Sequence, residues 1–312
     1  MSSYEVEIIS PSKKDELLAE LGREVVFERK ANIHGACVKL LTDSESFKEE
    51  WEDNFKFMNE EIRPHAKIFA TSNNGELQVL YEPLSKTCII RNCDYYGWVK
   101  SIALATISDF FEEYHSENRR YSVHGSVVDF EGHAIAIIGP PGTGKSTLTY
   151  GLMMNKKFNY ISDDWFFTRL FENSVVVYSS EKNSYIRDDV ADVWVDFRDQ
   201  IQRVKLDNKN RGIVDVKNLF NGRIRESSTL KSIILLERNP ANIPFKEMDI
   251  EEAIQYMKET DYCNPHQLIR DERKYNLRMQ FFQEIFSKME VYLLNTIESP
   301  LESLNQINNL IK

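Results

Sequence analysis

Gly139-Pro140-Pro141-Gly142-Thr143-Gly144-Lys145-Ser146-Thr147 fits the pattern G-x-x-x-x-G-K-[ST] in full. Glycines in such a run let the backbone curl until several N–H groups face phosphate oxygens. The helix that follows adds its positive N-terminal end. Lys145 supplies a mobile cation for β- and γ-phosphates, and the Ser146 hydroxyl is placed to ligate Mg²⁺. The nine residues are therefore read as nucleotide-binding, with ATP and Mg²⁺ the expected ligands. The flanks supply the context that the pattern needs. His133-Ala-Ile-Ala-Ile-Ile138 has the apolar, β-branched character of a buried strand, and Ser146–Met154, broken only by Gly151, reads as a helix. Such a loop fixes phosphate binding and leaves the reaction open.

Composition narrows the classes. The 312 residues allow one large domain or two ordinary ones with ample apolar material for a core. Hydrophobic residues at 42% and charged residues at 28% make an ordinary globular chain. A net charge of −10 argues against a general nucleic-acid binder. Cys37, Cys88, Cys93 and Cys263 form no C-x-x-C pair, and no signal-like N-terminus precedes them; they read as reduced thiols of a cytoplasmic protein. The longest apolar segment, Trp98–Phe111, carries Lys100 and Asp109 and is too short and too polar to span a bilayer, so no membrane is expected.

The chain contains no internal repeat. Residues 1–120 read as a small α+β unit, with strands at Ala66–Thr71, Leu77–Tyr81 and Thr87–Arg91, a turn at Asn73-Asn74-Gly75, and a helix over Tyr96–His115. The polar patch Ser116–Arg120 marks the boundary. Residues 121–312 read as an α/β or α+β unit around a sheet. Ser122–Phe130 and His133–Ile138 are expected to form a hairpin leading into the phosphate loop. Further strands are expected at Phe158–Ser162, Ser174–Ser179, Ser232–Leu236 and Val291–Leu294. Helices are expected over Ile250–Lys258 and Lys274–Lys288, and from Ser299-Pro300 onward.

Around the loop stand candidate catalytic residues. Ser162-Asp163-Asp164 closes an apolar strand. Two adjacent carboxylates there can divide the labour, one holding Mg²⁺ and the other accepting a proton from an attacking hydroxyl. The competing reading is a pair of solvated loop acids or a helix cap. His124, in Val123-His124-Gly125, is either structural or, if the hairpin carries it beside the loop, able to tune the carboxylate base or stabilise developing charge.

Together, His124-Gly125, the phosphate loop, Asp163-Asp164 and the block Arg211-Gly212-Ile213-Val214-Asp215-Val216-Lys217-Asn218-Leu219-Phe220 resemble the catalytic domain of HPr kinase/phosphorylase, over about residues 121–237. Phosphoenolpyruvate carboxykinases share the wider architecture more distantly. The resemblance implies a P-loop kinase fold of this type with a separate, smaller N-terminal domain. It also implies Lys145 and Ser146 on nucleotide and Mg²⁺, Asp163 and Asp164 as metal-side carboxylate and base, and His124 in support. Asp207 stands nearest to a metal-holding family glutamate, Lys209 near one family arginine and Arg225 near another. The alternative for Arg211, Arg223 and Arg225 is solvated loop charge. Self-association into a homo-oligomer is likewise implied by resemblance alone.

Departures from the family pattern are equally definite. Pro141 and Thr147 replace the usual serine and glutamate of the loop, Lys209-Asn-Arg211-Gly212 replaces an Arg-Gly-Leu-Gly run, and residues 1–120 do not resemble the family's N-terminal domain. HPr itself is a doubtful acceptor. The expected activity is a Mg²⁺- and ATP-dependent phosphotransferase acting on a hydroxyl, a serine of a protein or peptide, or a small molecule. The alternatives are a plain ATPase or carboxykinase-like enzyme, and a nucleotide-binding sensor without acceptor.

Overall fold

The computed structural model describes residues 4–187, 189–201, 203–204 and 211–310. It is a mixed α/β protein of two compact units, Met1–Arg119 with Ser180–Lys182 and Pro265–Asp271, and Arg120–Ser179 with Asn183–Asn264 and Glu272–Lys312.

The first unit runs β1 (Val6–Ile8), α1 (Pro11–Leu21), β2 (Phe27–Ile33), β3 (Ala36–Thr42), α2 (Glu45–Asn54), β4 (Lys56–Phe57), β5 (Ala66–Ala70), β6 (Gln78–Glu82), β7 (Thr87–Arg91), α3 (Tyr96–Glu113) and α4 (His115–Asn118). Its sheet has the order β1-β6-β7-β5-β3-β2-β4. The turn after β5 therefore opens no hairpin, because β7 lies between β5 and β6. Sequence reading missed everything before β5, although Ser10-Pro11 is a helix start in which the Ser10 hydroxyl accepts from the Lys13 N–H at 3.2 Å. α3 is buried almost throughout, Lys100, Asp109 and Glu112 included. Lys100 pairs with Glu181 at 3.0 Å, while Asp109 accepts from Tyr81 Oη at 2.6 Å and binds Lys86. A buried charge requires such a partner.

The second unit runs β8 (Arg120–His124), β9 (Ser126–Phe130), β10 (His133–Ile138), α5 (Lys145–Met153), β11 (Phe158–Ser162), β12 (Trp165–Leu170), β13 (Val175–Ser179), β14 (Asn183–Arg187), α6 (Asp189–Val193), α7 (Arg198–Ile201), β15 (Arg211–Asp215), α8 (Val216–Leu219), β16 (Ser227–Glu237), β17 (Phe245–Glu247), α9 (Ile250–Glu259), α10 (Glu272–Phe286), β18 (Glu290–Asn295) and α11 (Pro300–Leu310). The sheet follows β11-β9-β10-β16-β13-β12-β8, and β18 joins parallel to the later half of β16 with β17 outside it. β10 is buried on both faces. Ala134, Ala136 and Ile138 meet α9 and α10 through Ala253, Met257 and Phe281, while Ile135 and Ile137 meet α5 and α11 through Leu148, Leu152 and Leu304. Strand alternation thus turns one apolar run into the middle of three layers.

The expected hairpin needs correction. β9 pairs with β10 as foreseen, but β8 is the other arm of a bent strand and pairs with β12. The bend falls at Gly125, where a Cβ would stand 2.8 Å from the Ile137 carbonyl oxygen. Opposite it, β11 and β12 are likewise one strand interrupted at Asp163-Asp164, and the Gly125 N–H donates to the Asp164 carbonyl at 3.0 Å.

Gly151 yields a test of packing against propensity. It lies inside α5, where alanine is favoured by about 1 kcal/mol over glycine. A Cβ there would meet the Trp194 ring at 2.6 Å. Gly151→Ala is therefore expected to lose about 1–3 kcal/mol of stability in urea unfolding; a stabilised variant would show that Trp194 yields.

Candidate functional site

The loop leaves the end of β10 as a tight curl. Gly142 and Gly144 have φ values of +83° and +95°, a region that side chains rarely adopt, and the curl ends at the N-terminus of α5. Two contacts brace it. Thr296, just past β18, shares its hydroxyl proton between the carbonyls of Thr143 at 2.8 Å and Glu237 at 3.1 Å. The Trp194 indole N–H donates to the Thr147 carbonyl at 2.7 Å. Lys145 folds back on the loop, its Nζ donating to the carbonyls of Gly139 at 2.7 Å and Pro140 at 3.2 Å. Burial lowers its pKa, and Cys263, Asp164 and Asp163 oppose that shift. An ammonium held by two carbonyls can exchange them for phosphate oxygens.

Asp163 is the most perturbed carboxyl at the loop. Burial first, and then the neighbouring Asp164, push its pKa up to about 7 against the hydroxyls of Ser146 and Ser184 and the charge of Lys145. Its Oδ2 accepts from Ser184 Oγ at 3.2 Å, whereas its Oδ1 is buried without a hydrogen-bond partner among the described residues. A buried carboxylate oxygen left without a donor, beside a serine hydroxyl and a lysine, suits a hard cation. Mg²⁺ takes oxygen ligands and is held by one or two carboxylates together with waters and phosphates. Ser146 and Asp163 thus fit the ion expected of them. Asp207, the third expected metal residue, lies outside the described residues, as does Lys209.

Asp164 is half-exposed and meets His124, whose Nε2 stands 3.3 Å from its Oδ1. His124 Nδ1 lies 2.9 Å from the Cys263 carbonyl. A carbonyl only accepts, so Nδ1 carries a proton and Nε2 is the nitrogen turned toward Asp164. The pair can take up a proton at the carboxylate and share it with the imidazole. The carbonyl is aimed by an unusual turn in which Asp261, Tyr262 and Cys263 have φ values of +50°, +52° and +53°. Left-handed backbone costs side-chain-bearing residues roughly 1–2 kcal/mol each, so surrounding contacts must hold this turn.

The fold carries Arg225 and Arg223 away from the loop. Arg225 Nε contacts Asp129 Oδ2 at 3.2 Å, and Asp129 is paired with Ala134 near the start of β10, the end remote from the loop. Asp129 is wholly buried and also binds Ser228 and Asn159, so Arg225 completes a structural network. Arg223 donates to the carbonyls of Met153, Asn155 and Phe158 and so caps the end of α5. Arg211 opens β15, paired with Arg187. The family resemblance implied Arg225 near the site; the pairing of Tyr160 with the 223–225 segment carries it elsewhere.

Sequence reading missed Arg238, which lines a cavity beside the loop together with Thr296, as well as Thr296 itself, Ser184 and the Cys263 carbonyl. A signal existed for the first two, because ligands of open α/β sheets gather beyond the carboxyl ends of parallel strands, where Arg238 follows β16 and Thr296 follows β18. Nothing in the chain flags the others. Among the described residues no three His, Cys, Asp or Glu side chains converge as a metal cluster, and no helix is long and apolar enough to cross a membrane. Compared with protein-family models and with curated proteins, the chain matches none.

Two outcomes follow. Exposed Asp titrates near 3.9 in unfolded chains, whereas Asp163 holds its proton to about 7 in the folded protein. Below the lower value both states are protonated. Between the two, unfolding releases a proton, so metal-free stability falls as pH rises toward 7 and then levels. Between pH 5 and 7.5 the loss from this group is about 2 kcal/mol, and Asp163→Asn is expected to flatten it in urea titrations. Arg225→Ala is expected to cost about 1–2 kcal/mol by unpairing Asp129, while calorimetric nucleotide affinity stays unchanged.

Proposed function

We propose that this chain is a Mg²⁺- and ATP-dependent kinase of the HPr-kinase-like type, transferring a γ-phosphoryl group to a hydroxyl of a protein, peptide or small molecule. The observation that carries this reading is the convergence of the phosphate loop, the Asp163 oxygen that meets no hydrogen-bond partner among the described residues, and the Asp164–His124 pair at one end of β10. Phosphate binding alone calls for the loop and its lysine; a carboxylate that shares a proton with an imidazole is what hydroxyl activation adds.

In this reading the loop amides and Lys145 bind the phosphates. Lys145 exchanges the carbonyls of Gly139 and Pro140 for phosphate oxygens, and burial of its charge strengthens the attraction. Ser146 and Asp163 would hold Mg²⁺, which neutralises phosphate charge when bound. Asp164, the more exposed carboxylate, accepts the proton of the acceptor hydroxyl, and His124 Nε2 shares it. The oxygen so released bonds to the γ-phosphorus as the bond to the leaving diphosphate breaks. The braces from Thr296 and Trp194 keep the loop fixed meanwhile, which is most of what phosphoryl transfer asks of a protein.

Single turnover with γ-labelled ATP, Mg²⁺ and a size-fractionated cell extract tests the reading. Lys145→Ala is expected to abolish ATP binding. Asp164→Asn is expected to bind ATP within about twofold of wild type and to transfer label at least 100-fold more slowly, the scale of a lost general base. Label leaving only as free phosphate would make the chain an ATPase. Tight binding with no label leaving would make it a sensor.

A further inference from the structure

Asp163 stands at the end of a buried hydrogen-bonded chain that starts on α5. Ser146 and Tyr150 are four residues apart and so share one face of that helix. The Ser146 hydroxyl acts on the Asp163 carboxyl directly. Tyr150, one turn further along, reaches the same carboxyl through a third residue. Its Oη lies 3.3 Å from Ser184 Oγ on β14, and Ser184 Oγ lies 3.2 Å from Asp163 Oδ2. All three side chains are buried. Phe197 and Phe220 each set a ring centre 5.5 Å from that of Tyr150, which fixes the phenol. Ile186 and Val214, from the β14–β15 hairpin, pack into the same core and hold Ser184 over α5.

The direction of the chain follows from its donors. Ser184 Oγ is the one hydrogen-bond partner of the Tyr150 phenol among the described residues. A wholly buried donor is costly to leave unpaired, so the phenolic proton goes to Ser184. The Ser184 proton is then left for Asp163 Oδ2, because an ionised carboxylate only accepts. One oxygen of Asp163 is thereby spent, while Oδ1 meets no partner among the described residues. A polar chain that served the core alone would satisfy both oxygens; this one satisfies one and leaves the other bare.

We propose that Tyr150 and Ser184 are positioning residues of the metal site, a relay that locks the Asp163 carboxyl so that Oδ1 is kept for the cation. The inference rests on the Mg²⁺ reading above. Because Tyr150 and Ser146 ride on one helix, the relay also ties the carboxyl to the element that begins at the phosphate loop. Partners that orient a metal ligand from behind typically carry about 10- to 100-fold in metal affinity.

The test is the factor by which Mn²⁺, used as the probe ion, tightens ADP binding relative to ADP in EDTA, measured by calorimetry. Ser184→Ala is expected to reduce that factor about tenfold or more, with metal-free ADP affinity within about twofold of wild type. Tyr150→Phe keeps the ring and its packing, and is expected to lose less in the same direction. Since the two act in series, the double variant is expected to lose no more than Ser184→Ala alone. An unchanged factor in Ser184→Ala would overturn the inference, as would an equal loss of metal-free affinity, the mark of a purely structural role. Losses that multiply in the double variant would overturn the relay. Asp163→Asn separates the two levels: an unchanged factor there would remove the Mg²⁺ reading itself, and this inference with it.

Discussion

The site depends on β10 being held on every side. Its edges are hydrogen-bonded to β9 and β16, and its faces are covered by α9 and α10 on one side and α5 and α11 on the other. A strand so confined cannot shift its end, and the loop that leaves it inherits a fixed origin. The left-handed glycines then turn the chain sharply enough to start α5 at Lys145. Because β10 cannot adapt, the neighbours of the loop adapt to it. Thr296 reaches in from β18, Trp194 from beyond α6, and Gly125 gives up its side chain where the adjacent strand bends.

That bend is where packing becomes chemistry. A long antiparallel ribbon, 120–130 against 158–170, would ordinarily run past the end of β10 without interruption. It breaks at Gly125 on one strand and at Asp163-Asp164 on the other. Two carboxyls in a broken ladder meet different surroundings. Asp163 turns into the protein and is perturbed by burial, while Asp164 stays half-exposed against His124. Adjacent acids in one environment would compete for the same role; these two are consecutive in the chain yet differ widely in solvation. Under the kinase reading that asymmetry assigns the metal side and the base side.

Strain concentrates in the same region. The left-handed Asp261–Cys263 turn opposes the backbone preference of three side-chain-bearing residues, and its product is a carbonyl aimed at His124. The buried carboxyl of Asp163 and the half-buried ammonium of Lys145 are further departures from what a stability-seeking core would contain. The rest of the second unit is conventional layered packing, able to support such costs.

The sequence by itself determined the glycine-rich loop, its flanking strand and helix, and the mixed α/β class, because each rests on local patterning: glycines at tight turns, an apolar run that fills both faces of a strand, and a helix start after a lysine. It also marked Asp163, Asp164 and His124, whose proximity to the loop follows from the strands that carry them. Tertiary structure decided which partner each strand takes. That choice sent Arg225 to Asp129 at the far end of β10, gave Arg223 to the end of α5, placed β8 beside β12, and brought Arg238 and Thr296 to the loop and Ser184 to Asp163 from distant parts of the chain. The physical reason is one of range. Turn, strand and helix preferences act over a few residues and are written where they act, whereas pairing between distant strands is a competition over the whole buried surface, which no single stretch of the chain records.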